Sequence, residues 1–515
     1  SVVLSERQGG AQMSMAYDGA SRFDRELALW SPPIQSADRD ILPDKQMSDA
    51  RVLDLARNDS TVASGITVQK DAIVGSQFML NAKPAWKVLG LSEEWAEEFQ
   101  QEVEEKFTLW AESQSNWVDA SRMNNFTSLI RLVVGIESVA GEVLASVEWL
   151  RDGPRPYHTA VQLIDVSRLS NPNGDPDGPL LRGGVARNRF GAPQGYYIRM
   201  AHPRDYMDPN SWVWRYVPIR KPWGRTQMIH ILEQSRPDQS RGISDIVSAL
   251  KELRIIKKFR DVVLQNAVLN ATFAASIESE LPSEAVFSQL GGTDNVGDAI
   301  TGYASSYLSA INDYVGGARN LQIDGVKIPH LFPGTKLQLR PVGSGGPLGR
   351  EFEQSCLRYI AGNLGISYEE LSRDWTNTNY SSGRAAMLGT WRRMQARKKQ
   401  TADRFATHIY SLWLEEAINK GDITSMSRGA PDYYEGLNRE AYSACEWIGA
   451  ARGQIDELKE TQAAVLRMKA NLTTYEDEMA RLGKDWRKTL VQREREIREF
   501  RACLLYTSPS PRDRG

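Results

Sequence analysis

Residues 239–279 read "QSRGISDIVSALKELRIIKKFRDVVLQNAVLNATFAASIES". From Ile246 onward apolar side chains fall at Val247, Ala249, Leu250, Leu253, Ile256, Phe259, Val263 and Ala267, the three-to-four-residue recurrence of a helix with one buried stripe. Lys251, Arg254, Lys258 and Gln265 lie between them. Ser244 is placed to cap the start, Gly242 marks the turn before it, and no proline intervenes until Pro282. About 30 residues rising 1.5 Å each make a rod of about 45 Å. A compact single-core domain seldom needs one.

The rest of the chain is read outward from that rod. At 515 residues it exceeds one core and is expected to hold about three or four substructures, and 41% hydrophobic residues is ordinary for a folded protein. Net charge is only −2, so contact with a polyanion must come from local basic faces. Cys356, Cys445 and Cys503 are far apart and form no CxxC pair, which suggests neither a disulfide framework nor a thiolate metal site and fits a reducing compartment. No apolar run approaches the roughly 18 residues of a membrane span, so no membrane partner is expected. The start "SVVLSERQGG" lacks a signal-peptide pattern, and the missing initiator Met suggests a truncated beginning.

Residues 1–45, rich in Gly, Ser, Asp and Pro without period, read as an extended arm. Met47 to Val74 turns helical, Gly75 closes it, and "QFMLNAKP" reads as a short strand. In "LSEEWAEEFQQEVEEKFTLWAE", Leu91, Trp95, Phe99, Val103 and Phe107 repeat every four residues, while seven glutamates occupy positions 93–105. Ser92 is a fitting N-cap with Glu93 and Glu94 near the positive end of the helix dipole. The acidic side is read as a solvated face or as a docking surface for a basic partner. Between about 125 and 235, helical "SLIRLVVGIESVAG" is followed by the β-rich runs "EVLASVEWL", "TAVQLIDV", "GYYIRM" and "TQMIHIL". They are separated by turn segments such as "NPNGDPDG". This predicts an α+β region with a small, mainly antiparallel sheet in a chain that is mainly helical. Beyond the rod, one helix in 283–320, two short strands around the Pro-Gly turn of "GVKIPHLFPGTKLQL", a helix over 350–364 and a second long helix over 384–420 are expected. Residues 446–502 follow as helices broken at Gly449, Gly453 and Gly483.

Catalytic chemistry is missing from the pattern. There is no phosphate-cradling GxxxxGK followed by Ser or Thr, no GxSxG and no HExxH. The five histidines, at 158, 202, 230, 330 and 408, share no metal-ligand spacing, and His230 in "MIHIL" reads as a hydrogen-bonded structural histidine. Neither enzyme activity nor a metal or other cofactor is expected. One charge cluster stands out: residues 384–404 carry seven basic residues, Arg384, Arg392, Arg393, Arg397, Lys398, Lys399 and Arg404, against one acid, Asp403. Such a rod can meet phosphates without reading bases, or pair with an acidic helix such as 93–105 of a neighbour.

Eight segments, among them "LARNDSTVASGITVQKDAIVGSQFML", "GGVARNRFGAPQGYYI", "MIHILEQSRPDQSRGIS", "KIPHLFPGTKL" and "FEQSCLRYIAGNLGISYEELSRDWTNTNYSSGRAA", together resemble the portal proteins of tailed bacteriophages, of the lambda type. They run in order from about residue 25 to about 500. The final "CLLYTSPSPRDRG" does not resemble the family and reads as a non-native tail at 503–515.

The resemblance implies a ring, typically a dodecamer, at one capsid vertex, through which double-stranded DNA enters and leaves. It implies a wing at 46–242, stem helices at 243–275 and 346–366, and a clip at 276–345. A tunnel loop at 367–383, a long wing helix at 384–430 and a crown-like helical region at 431–502 complete the expected division. Trp375, Thr376, Asn377, Thr378, Asn379, Tyr380, Ser381 and Ser382 would form the part of the loop nearest DNA. The basic helix of Arg384, Arg392, Arg393, Arg397, Lys398 and Lys399 would lie behind it, and Lys251, Arg254 and Lys258 would sit on the stem. The implied partners are copies of itself, sequence-independent duplex DNA, the terminase large subunit, a head-tail connector protein and the major capsid protein. The rival reading is another packaging protein, a terminase motor or nuclease. The missing phosphate loop argues against the motor, and no clustered acids on adjacent strands suggest the nuclease.

Overall fold

A computed structural model describes residues 18–20, 24–272, 302, 305, 321–323, 326–328, 347–376, 378–426, 429–453 and 457–502. It divides into two compact units, one of residues 251–360 and one of the remainder. Among the described residues helices outnumber strands, so the fold is α+β and mainly helical.

In the larger unit, helix α1 spans Ala37–Asn58 and α2 spans Ser60–Ile73. The expected arm therefore ends earlier than residue 45. Ser36 caps α1 by accepting from the Arg39 N–H, and Asp38 and Lys45 are buried in it. Charged residues that find buried partners escape a search for apolar periodicity, which is why the helix seemed to begin at Met47. The single helix expected over 47–74 breaks at Asp59, whose carboxylate accepts from the N–H groups of Thr61 and Val62 at 2.9 and 3.2 Å and so caps α2.

Strand β1 (Met79–Ala82) leads to the short α3 (Trp86–Leu89), then α4 (Glu93–Ala111), capped by Ser92 as its sequence suggests, and α5 (Phe126–Ala140). After α5 come β2 (Glu142–Trp149), β3 (Thr159–Ile164), β4 (Leu181–Arg182), β5 (Val185–Arg187), β6 (Pro193–Arg199), β7 (Trp214–Pro218) and β8 (Met228–Leu232). They form two antiparallel sheets, ordered β3-β2-β8 and β4-β5-β6-β7, where the sequence suggested one. Leu144, Ile164, Val185, Tyr196, Ile198 and Met228 share one core, on which Val217 of β7 packs.

The predicted rod opens as a 3-10 turn over Asp245–Ala249, capped by Ser244, and becomes α-helical only as α6, Leu250–Thr272. Two glycines fix its approach. A Cβ at Gly141, which ends α5 with φ +73°, would sit 2.2 Å from the Ile243 carbonyl, and one at Gly242 would sit 2.1 Å from the Gly141 oxygen. The smaller unit holds most of α6, the hairpin β9 (Leu321–Ile323) and β10 (Val326–Ile328), and most of α7 (Pro347–Leu364). Within it Arg260 meets Glu353 at 2.7 Å and Phe259 meets Phe352 edge-on at 5.2 Å. The stripe read from the sequence is only partly covered: Leu253 and Ile256 are fully buried, whereas Val263 is exposed. The helix and Pro-Gly turn expected in 276–345 lie outside the described residues, as does the tail at 503–515.

The chain continues through α8 (Tyr368–Ser372) and α9 (Tyr380–Arg397), a π-helical stretch over Lys398–Asp403, α10 (Arg404–Lys420) and α11 (Asn438–Tyr442). Strand β11 (Cys445–Ile448) then pairs antiparallel with β1, more than 360 residues earlier. Residues 431–448 therefore belong to the same packed body as β1. The helical C-terminal region begins only at α12 (Glu457–Lys469), followed by α13 (Tyr475–Arg481) and α14 (Trp486–Ala502). Phe78, Phe107, Phe126, Tyr410, Trp413 and Trp447 pack ring on ring at 5–6.5 Å in a second, aromatic core, with Phe107 edge-on to Phe126, Tyr410 and Trp413 and Phe78 stacked flat on Trp447.

Candidate functional site

The predicted loop is shorter than its sequence suggests. Asn379 accepts from the Ser382 N–H at 2.9 Å while the Ser382 hydroxyl accepts from the Asn379 N–H at 3.1 Å, a capping box that makes Tyr380, Ser381 and Ser382 the first turn of α9. The loop proper runs from Arg373, in the left-handed region at φ 59°, to Thr378; Asn377 lies outside the described residues. Asp374 holds it by accepting from the Thr376 N–H and hydroxyl at 3.1 and 2.6 Å. Trp375 and Thr376 are exposed. The base is fixed by a second capping box, Ser367 with Glu370, whose carboxylate also accepts from the Thr390 hydroxyl of α9 at 2.5 Å. Beside the loop lies a cleft of about 260 Å³ whose lining includes Asp71, Glu370, Arg373, Arg384 and Trp391.

The basic helix is not a uniform positive rod. Arg397 donates to Glu137 of α5 at 2.6 and 2.8 Å, and both are nearly buried. Burial pushes the Glu137 carboxyl upward against the pull of Arg397. Lys398 is buried, bound to Asp403 at 2.7 Å and to the Trp447 carbonyl at 2.8 Å. Arg393 donates to the carbonyls of Gly362 and Asn363 and lies 3.8 Å from Asp245. Arg392 and Lys399 point to solvent, and Arg384 is half-buried. Arg397 and Lys398 thus find their partners within their own chain, on α5 and within the same helix. Lys251, Arg254 and Lys258 lie on the other unit and are exposed.

The acidic helix α4 is also divided. Burial alone would raise Glu102, but Lys106 and the N–H groups of Ser425 and Thr424 hold its pKa at about 2. Glu104 is buried, accepts from the Ala82 N–H and from Gln100, and burial pushes it up to about 7. Glu93, Glu94, Glu97, Glu98 and Glu105 remain exposed.

The cluster that sequence reasoning missed surrounds Glu142. Fully buried, it takes Arg241 at 2.7 Å, Lys45 at 3.4 Å, His230 at 3.0 Å and the Gly242 N–H at 2.8 Å. Burial would raise its pKa, but Arg241, Lys45 and His230 hold it well below the usual carboxylate range. Beside it Asp38 binds Arg182, Arg187 and Ser240. The one sequence signal was a lone glutamate at each of positions 137 and 142 inside the mostly apolar run "LVVGIESVAGEVLASV". Among the described residues no His, Cys, Asp or Glu group is arranged to hold a metal, and no helix is long and apolar enough to cross a membrane. These clusters tie elements together; nothing in them offers a nucleophile to a substrate.

Residues 23–398 match the family described as phage portal protein, lambda family. The chain is 36% identical over 491 residues to portal protein B of Escherichia phage lambda, covering 95% of this chain and 90% of that protein. It is likewise 36% identical to the portal protein of Escherichia phage N15 over 494 residues, covering 95% and 91%. Among solved structures, the neck of a native gene transfer agent particle, computed with C12 symmetry, matches with a TM-score of 0.37 and 11% identity, over 86% of this chain and 99% of that one. The chain belongs to the lambda family of phage portal proteins. It is a structural virion component and not an enzyme.

Proposed function

We propose that the chain closes into a ring, a dodecamer on the family's pattern, whose bore passes double-stranded DNA into the capsid during packaging and out during ejection. The observation that carries this reading is the 36% identity to a lambda portal protein across 95% of the chain. The surface of the smaller unit supports it. Ile255, Val262, Val263 and Leu264 on α6, and Phe352 and Tyr359 on α7, are exposed apolar residues on helices, a pattern that neighbouring copies would cover. On this reading α6 and α7 are the stem, 276–345 the clip, and the sheets with α1–α5, α9, α10 and β11 the wing. The clip would meet the terminase large subunit and later the head-tail connector protein, and the wing would meet the major capsid protein.

The loop between Arg373 and Asn379 would approach the DNA. Each neutralised phosphate steepens the salt dependence of binding by about 0.9 in log–log slope, and a ring multiplies every charge, so a sliding duplex is served by uncharged contacts. Trp375, Thr376, Asn377 and Thr378 supply only such groups. Electron microscopy of the purified chain tests the reading. Rings with a central hole are expected, and a stable monomer at micromolar concentration in light scattering would overturn it.

A further inference from the structure

Among the described residues the acidic stripe of α4 has no ion-pair partner. Glu93, Glu94, Glu97, Glu98 and Glu105 are exposed and, among the described residues, none has a cation within ion-pair distance. Buried Phe99, Val103 and Phe107 occupy the opposite side of the helix. The stripe spans about 18 Å at 1.5 Å per residue. At its end stands Leu109, 77% exposed.

A cationic surface of the opposite kind lies in the same unit. Strand β7 is the outer strand of its sheet, paired only with β6. It carries exposed Arg215 and runs on to exposed Arg220, half-buried Lys221 and exposed Trp223. At about 3.3 Å per residue the segment from Arg215 to Lys221 spans about 20 Å. Arg199, on β6, lies over the rings of Trp214 and Trp212 at 4.5 and 5.7 Å. Arg220, Arg404 and Arg439 converge on His408, whose pKa is pushed down to about 4 by desolvation of its ring and then by those three charges. Among the described residues no carboxylate pairs with Arg199, Arg215, Arg220, Lys221, Arg404 or Arg439.

We infer that, in the ring, the acidic stripe of α4 on one subunit seats on the cationic edge of β7 and its following turn on the next. The inference rests on the ring reading above. The two surfaces match in length and oppose in charge, and each chain carries one of each. Different faces joined head to tail are what a closed ring requires. Leu109 beside the acids and Trp223 beside the arginines supply an apolar contact at one end of the pairing.

Charge reversal tests it. The variant Glu97→Lys with Glu98→Lys, and separately Arg215→Glu with Arg220→Glu, are checked for folding by circular dichroism and weighed by mass photometry at low and high salt. Each variant alone is expected to lose ring occupancy by about tenfold or more at low salt. Mixing the two should restore rings in which they alternate, because every junction then joins opposite charges. Should either reversal disturb folding, Glu97→Gln with Glu98→Gln and Arg215→Gln with Arg220→Gln should each lose less ring occupancy, a loss that mixing does not reverse because every second junction stays neutral. Rings from each reversal as complete as wild type overturn the inference while leaving the ring reading standing. So does a loss of duplex-DNA binding by the arginine variant with assembly unchanged, which assigns the surface to DNA. A wild-type chain that forms no ring removes the ring reading and this inference together.

Discussion

Glu142 has no exposed surface and faces two cations and a histidine, and Lys45 also pairs with Asp49 at 2.7 Å, so removing its charge strands Arg241 in the interior. Breaking a buried ion pair from one side costs about 3–5 kcal/mol. We expect Glu142→Gln to lower stability by that order in urea denaturation at pH 7. The pH dependence follows from its depressed folded pKa: the stabilisation is present above the unfolded value and is lost as pH falls through the folded one. Glu104 has the opposite sign. Its folded pKa of about 7 lies above the ordinary 4.5, so its contribution is full below about 4.5 and is lost as pH rises through about 7. That window is worth about 3 kcal/mol. Glu104→Gln keeps a carbonyl to accept from the Ala82 N–H and should raise the urea midpoint at pH 8 while leaving it nearly unchanged at pH 4.

Helix α9 separates structural cations from free ones along a single element. Arg397→Ala leaves Glu137 buried without its counter-charge and should destabilise the fold by about 3 kcal/mol or more. Arg392→Ala removes a solvated side chain and should shift stability by less than about 0.5 kcal/mol. Paired thermal melts of the two variants check this. The loop before α9 is the complementary case. Deleting residues 376–378 spares the Asn379 capping box, so rings should form as in wild type while the DNA retained in particles falls several-fold. Rings lost on that deletion would make the loop a scaffold and not a channel contact.

For the whole molecule, the decisive distinction is between apolar residues that the chain covers itself and those it leaves for neighbours. Leu253 and Ile256 are at most 1% exposed, so an aspartate at either strands a charge in a finished core and should prevent folding. Leu264 is 66% exposed, and Leu264→Asp should fold as wild type yet fail to assemble. Circular dichroism separates the first outcome and mass photometry the second. A ring that tolerates Leu264→Asp would mean that this stretch of α6 faces solvent in the assembly.

Local rules were enough for the elements that satisfy their needs within a few residues. Ser92 and Ser244 cap where the sequence says they should, α5 and strands β2, β3, β6 and β8 form where the helical and β-rich runs lie, and His230 is hydrogen-bonded, to Glu142 on the neighbouring β2. The eight collinear segments were likewise enough to point to the family. Position 59 looked like the middle of a helix because its carboxylate serves the next helix. Residues 37–45 looked like an arm because two of their charged side chains, Asp38 and Lys45, are buried. Strand β11 showed no alternation that would name its partner, β1, across the length of the chain. Only the tertiary structure decided which members of a basic run are free. Arg397 and Lys398 are consumed by Glu137, 260 residues away, and by Asp403 and the Trp447 carbonyl, while Arg392 is not. The physical reason is that periodicity and capping act through neighbours in sequence, whereas the cost of burying a charge is set by partners that only folding brings within about 3 Å.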